Sequence, residues 1–125
     1  MIQILIIEDD KSIRENTAEL LELEGYAAVT ASNGNSGLEK IKLHQPDLII
    51  CDLRMPEMDG FTLLKHLGED SRLKRIPFIF FSAKSEKIEV RMGIDAGADD
   101  YLTKPFELED LLASIEKCLQ KSKLT

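Results

Sequence analysis

"LIICDLRMPEMDG", residues 48–60, decides how the whole chain is read. Four apolar residues run straight into Asp52, and a loop punctuated by Met55-Pro56 and Asp59-Gly60 follows. A continuous apolar run of this length fits a strand covered on both faces, as in a parallel sheet. An ionised carboxylate at the end of such a strand is costly to desolvate unless it is paired or exposed. Asp52 therefore calls for a partner, a cation or a chemical role.

The same grammar recurs on both sides of this stretch. IQILII (2–7) is a second continuous apolar run, and Ser12-x-x-Glu15 after it reads as a capping box. Ile13, Thr17, Leu20 and Leu21 then form one helical stripe that Gly25 stops. YAAVT (26–30) fits a strand, the Ser/Asn/Gly stretch at 32–35 a turn, and 36–44 a helix that turns Leu38 and Ile41 inward. Beyond the opening stretch, Asp59-Gly60 starts a third helix with Phe61 and Leu64 facing in, and Pro77 precedes the strand FIFF (78–81). A weaker helical pattern over 85–95, with Ile88 and Met92, closes at Gly97 and leads to a short strand near 99–102. The last helix carries Leu108, Leu111, Leu112, Ile115 and Leu119 on one face, and its acidic first turn (Glu107, Glu109, Asp110) suits the helix dipole.

Five strand–helix pairs in strict alternation predict an α/β fold, a parallel sheet with helices on both faces. Right-handed crossovers in so small a domain favour a flavodoxin-like (βα)5 doubly wound sheet with strand order 2-1-3-4-5. At 125 residues, with 43% apolar and 31% charged residues, the chain has the size and balance of a single globular domain over 1–125. No apolar run reaches the ~20 residues of a membrane span, and the N-terminus has no signal-peptide pattern, so a cytoplasmic, non-membrane protein is expected. Cys51 and Cys118 have no metal or redox spacing and read as buried thiols. A net charge of −7 argues against direct nucleic-acid binding by this domain.

In an open parallel sheet, ligands bind beyond the carboxyl ends of the strands, where the strand order reverses. Strand one delivers Glu8, Asp9 and Asp10 there, strand three Asp52, strand four Ser82 and strand five Lys104. Taken singly these have plainer readings: Asp10 near a helix N-cap, Asp52 as a loop carboxylate, Ser82 as a cap, Lys104 as a solvated lysine. Their coincidence at one sheet end shifts the weight toward chemistry. Two like charges ~4 Å apart repel by about 4 kcal/mol at an effective dielectric of 20, so the acids need a raised pKa, a cation or both. Mg²⁺ suits such an oxygen-donor site. A carboxylate beside a metal, a lysine and a hydroxyl can attack phosphorus and form an aspartyl phosphate.

ILIIEDD, LIICDLRMPEMDG, FFSAK and GADDYLTKPF, in this order and spacing, resemble the receiver domains of bacterial two-component response regulators (CheY-like), over about 2–121. The resemblance implies that Asp52 is the phosphoacceptor, that Glu8 and Asp9 form the acid pair, and that Asp9, Asp52 and the Arg54 backbone carbonyl hold Mg²⁺. Ser82 and Lys104 would contact the phosphoryl group, and Lys104–Pro105 would be cis. Ser82 and Tyr101 would form a switch that remodels the surface of helix four, strand five and helix five. Glu8 stands where Asp is more usual, and Ser82 where Thr is commoner. Arg54 and Lys84, two residues past Asp52 and Ser82, are both basic at positions that the resemblance implies tune attack by water on the phosphoryl group; basic side chains there are expected to orient such a water poorly and favour a longer-lived phosphoform. His44 and His66 lie away from this end, so the donor would be external: a sensor histidine kinase, a phosphotransfer protein, or a small acyl phosphate in vitro. The output would be an unidentified partner or a C-terminal effector domain. Dimerisation by basic residues on the last helix against Asp99 and Asp100 meets Ser114 where a basic residue is expected, leaving at most a weak homodimer.

Three other functions compete. A phosphatase of the haloacid dehalogenase type requires a second Asp two residues after the first, where Arg54 stands. A flavin-binding module would place phosphate against Glu8-Asp9-Asp10, which repel it. A receiver-like module that signals without phosphorylation does not require the set Glu8, Asp9, Asp52, Ser82 and Lys104. The expected protein is thus not an enzyme toward other substrates; it catalyses only its own phosphorylation and dephosphorylation.

Overall fold

The computed structural model describes residues 1–83 and 87–123. Lys84 and the expected helix start at residue 85 lie outside the described residues, as does the side chain of Ile88. Along the chain run β1 (Gln3–Ile7), α1 (Lys11–Leu23), β2 (Ala27–Ala31), α2 (Gly34–His44), β3 (Leu48–Asp52), α3 (Gly60–Gly68), β4 (Phe78–Ser82), α4 (Lys87–Asp95), β5 (Asp100–Thr103) and α5 (Leu108–Lys123). The five strands form one parallel sheet in the order β2-β1-β3-β4-β5. That is the flavodoxin-like doubly wound order the sequence predicts.

Alternation along the strands sorts the apolar side chains onto the two sheet faces. Leu5, Ile7, Ile49, Cys51, Phe78 and Phe80 pack with Ile41 of α2 and with Leu63 and Leu67 of α3. Ile4, Ile6, Leu48, Ile50, Ile79 and Phe81 pack with Leu21 of α1 and with Leu111 and Ile115 of α5. The four apolar residues of β3 are all 0% exposed, each worth about 1.5–3 kcal/mol of apolar burial where the side chain is large. On the first face Phe80 sits at the centre of an aromatic cluster, with ring centroids 5.3 Å from Phe61, 5.0 Å from Phe78 and 6.2 Å from Tyr101.

Local chemistry moves several boundaries. The capping box does not form: α1 begins at Lys11, and the cap is Asp10, whose carboxylate accepts from the Ile13 N–H at 3.0 Å. Asp10 is itself held by its own N–H, which donates to Glu8 Oε2 at 3.2 Å, so the acidic run places the cap two residues ahead of Ser12. Asn33 caps α2 by accepting from Ser36 N, which starts that helix at Gly34 rather than at 36. A Cβ at Gly34 would lie 2.7 Å from the Met58 carbonyl oxygen, so only glycine lets α2 pass under the β3–α3 loop. Asp59 caps α3.

Two inward faces also differ. In α3 Leu63 and Leu67 are buried while Phe61 and Leu64 are half-buried, because Gly60 is pressed against the end of β3 and sets the rotation of the helix. In α4 Met92 is 50% exposed; Val90 and Gly93 face the sheet, and a Cβ at Gly93 would sit 3.0 Å from both the Phe80 and Tyr101 rings. No helix among the described residues is long and apolar enough to cross a membrane.

Candidate functional site

Register brings the polar strand ends to one edge. Ile7 pairs with Cys51, so the residues that follow, Glu8 and Asp52, leave the sheet side by side; Asp52 pairs with Phe81, and Ser82 with Thr103. The carboxylate oxygens of Glu8, Asp9 and Asp52 lie within 4.8 Å of one another. Glu8 is fully buried, Asp52 is 6% exposed and Asp9 is open to solvent. Lys104 arrives from the loop after β5, its backbone N–H donating to the Ser82 carbonyl at 2.8 Å. Its ammonium donates to Glu8 Oε1 and lies 3.3 Å from Asp52 Oδ2 and 4.7 Å from the Phe81 ring centroid. The Lys104–Pro105 peptide bond is cis.

The electrostatics follow from burial and crowding. Burial pushes the Glu8 carboxyl up to about 7; Lys104 opposes the rise, and Asp52 and Asp9 add to it. Burial alone would lower the Lys104 ammonium, but the hydrogen bond to Glu8 and the charge of Asp52 outweigh it and raise the group above its usual value. One lysine thus serves two carboxylates while a third, Asp9, points to solvent. The surplus of hard oxygen donors fits a divalent cation of the Mg²⁺ type, which takes one or two carboxylates and keeps water ligands on its open side.

The loop after β3 is held close to this cluster. Arg54 N–H donates to Asp52 Oδ1 at 3.3 Å, and Gly60 N–H donates to the Leu53 carbonyl at 2.8 Å. A Cβ at Gly60 would stand 2.7 Å from the Asp52 carbonyl oxygen, so glycine there permits the tight return of the loop. Beneath, the buried Cys51 thiol donates to the same carbonyl oxygen. Ser82 is 2% exposed and its side chain is hydrogen-bonded to the Tyr101 phenol, which is itself buried.

Glu8, Asp9, Asp52, Arg54, Ser82 and Lys104 are therefore found at this edge, with Tyr101 behind Ser82, whereas the carboxylate of Asp10, also singled out, caps α1 instead. His44 and His66 are exposed in the last turns of α2 and α3. Sequence reasoning missed Glu89 of α4, whose Oε1 accepts from Arg54 Nη2 at 2.9 Å. The partners stand 35 residues apart and no local pattern marks the pair.

Comparison with known proteins is consistent throughout. The family model described as "Response regulator receiver domain" matches residues 4–116. The chain is 39% identical over 118 residues to the transcriptional regulatory protein CseB of Streptomyces coelicolor, covering 94% of this chain and 49% of that protein. It is 40% identical over 122 residues to the DNA-binding dual master transcriptional regulator RpaA of Synechocystis, covering 98% and 51%. The chain thus spans about half the length of these curated relatives. Among solved structures, the chemotaxis protein CheY4 of Vibrio cholerae superposes with a TM-score of 0.88 at 31% identity, over 94% of this chain and 98% of that one.

Proposed function

The chain belongs to the response regulator receiver domain family, and on that footing we propose that Asp52 is the residue phosphorylated in this protein, in a Mg²⁺-dependent reaction. The observation that carries the reading is the position of Lys104, whose ammonium bridges Glu8 and Asp52 at the carboxyl edge of the sheet. Asp9, Asp52 and the Arg54 carbonyl, with Glu8 behind them, would hold the metal. When bound, Mg²⁺ neutralises charge that develops on the phosphoryl oxygens. An Asp52 carboxylate oxygen attacks phosphorus, forming the acyl phosphate bond as the bond from phosphorus to the donor breaks and the donor leaves with its electron pair. Lys104 and the Ser82 hydroxyl then hold the phosphoryl oxygens.

The donor is a sensor histidine kinase or a phosphotransfer protein. An apolar groove of about 520 Å³ beside Lys104, lined by Ile13, Thr17, Leu20, Pro105 and Phe106 among others, offers it a contact surface. The Ser82–Tyr101 pair transmits the change to the α4–β5–α5 face, and that face acts on an effector domain or partner. The protein catalyses this transfer and its hydrolytic reversal on itself alone. Unpaired buried thiols at Cys51 and Cys118 support a reducing, cytoplasmic setting.

The test is incubation with Mg²⁺ and acetyl phosphate, read by intact mass. The wild type is expected to gain one base-labile phosphoryl group and Asp52→Asn none. A wild type that stays unlabelled would leave a receiver that signals without phosphorylation.

A further inference from the structure

Arg54 and Glu89 join two parts of the molecule that have separate tasks. Arg54 is anchored beside Asp52 through its backbone N–H, yet its guanidinium leaves the site and pairs with Glu89 on the first turn of α4. The Arg54 side chain is 62% exposed and that of Glu89 only 19%, so the acid is seated while the arginine reaches it across open surface. Both charges, together with Asp52, act on the phenol of Tyr101, which is hydrogen-bonded to Ser82. The ion pair therefore stands between the phosphorylation edge and α4. A phosphoryl group on Asp52 would bring close to two negative charges and three acceptor oxygens to that edge, against one charge on Glu89. The planar guanidinium matches phosphate oxygens in a bidentate fork. An ion pair this open to solvent is worth a factor of about five or less, which a phosphoryl group can outcompete.

We propose that Glu89 is a positioning residue for the phosphorylation site: it holds the Arg54 guanidinium on α4 while Asp52 is bare and yields it to the phosphoryl oxygens once Asp52 is modified, uncoupling the β3–α3 loop from α4. The proposal rests on the reading of Asp52 as phosphoacceptor. It gives α4 two states that differ by one broken contact, set by a charge at the other end of the same side chain.

The experiment compares the full chain with Glu89→Gln, Arg54→Gln and the double variant, each with and without Mg²⁺ and acetyl phosphate. Labelling is followed by intact mass, and hydrogen exchange is followed at the α4 amides. In the unlabelled form each single variant is expected to speed α4 exchange about threefold, and the double variant no more than either single. In the labelled form the wild type should reach the rate of Glu89→Gln, so that the substitution no longer changes α4. A merely structural role for Glu89 would give the same difference between wild type and variant in both forms; that result overturns this proposal alone. A wild type that takes no label overturns the phosphoacceptor reading and this proposal with it.

Discussion

Lys104 sets the electrostatics of the edge. Its ammonium contacts Glu8 and Asp52, and Asp52 is also one of the proposed metal ligands, so on that proposal the lysine competes with Mg²⁺ while aiding the phosphoryl group. Lys104→Ala should therefore tighten Mg²⁺ binding about tenfold in a calorimetric titration while slowing labelling by acetyl phosphate. An unchanged Mg²⁺ affinity would show that the lysine and the metal do not share donors. At Gly60 the constraint is steric: a methyl group would meet both the Asp52 carbonyl and the Phe80 ring at 2.7 Å. Gly60→Ala should cost about 2 kcal/mol in urea unfolding, because neither backbone nor a packed ring can yield cheaply. On the proposed role of Asp52, Arg54 would bear on the lifetime of the phosphoform. A guanidinium does not position a water for attack on phosphorus, so Arg54→Asn is expected to lose its phosphoryl group several-fold faster than the wild type in a decay assay; equal or slower decay would count against this role.

Among the elements, β5 and α5 are joined by a polar seam. Ser114 hydroxyl donates to Asp100 Oδ2 at 2.5 Å, Lys117 pairs with the same oxygen at 3.0 Å, and Lys121 lies 3.9 Å from Asp99. These contacts engage within one chain the acids that the resemblance would assign to a dimer contact. Burial acts to raise the Asp100 carboxyl, but the bonds from Ser114, Lys117 and the Tyr101 N–H outweigh it and lower the group below its usual value. A carboxyl depressed by folding stabilises the native state above its unfolded value near about pH 4, and that contribution is lost as pH falls through the folded value. Ser114→Ala should cost about 1 kcal/mol at pH 7 and progressively less below about pH 4, measured by urea unfolding. A pH-independent cost would assign the loss to packing of the 4%-exposed serine instead.

At the scale of the whole molecule, three carboxylates crowded at one edge are expected to make the fold responsive to a cation. Mg²⁺ at 100 times its dissociation constant should stabilise the chain by about 2.7 kcal/mol, and the gain should vanish in Asp9→Ala; an equal rise in Tm in both would place the ion elsewhere. The alternation of apolar runs with 3.6-residue stripes was enough to read the doubly wound sheet and its strand order, because parallel strands buried on both faces write continuous apolar runs and right-handed crossovers leave few topologies. The clustering of Glu8, Asp52, Ser82 and Lys104 was legible for the same reason: each stands at or just past the carboxyl end of a strand, and the parallel register carries them to one edge. Helix starts were less legible. Asp10, Asn33 and Asp59 all cap, but the Ser12–Glu15 spacing competed with Asp10, and only the bond from Asp10 N–H to Glu8 decided between them. The inward faces of α3 and α4 were set by how closely Gly60 and Gly93 let helix and sheet approach, a distance that one-dimensional periodicity does not contain. The raised Glu8 carboxyl, the burial of Tyr101 against Ser82 and the Arg54–Glu89 pair likewise had to await the tertiary structure. Local sequence determined which residues end each strand, because hydrophobic periodicity is a short-range property; what those residues touch was decided by packing between segments far apart in the chain.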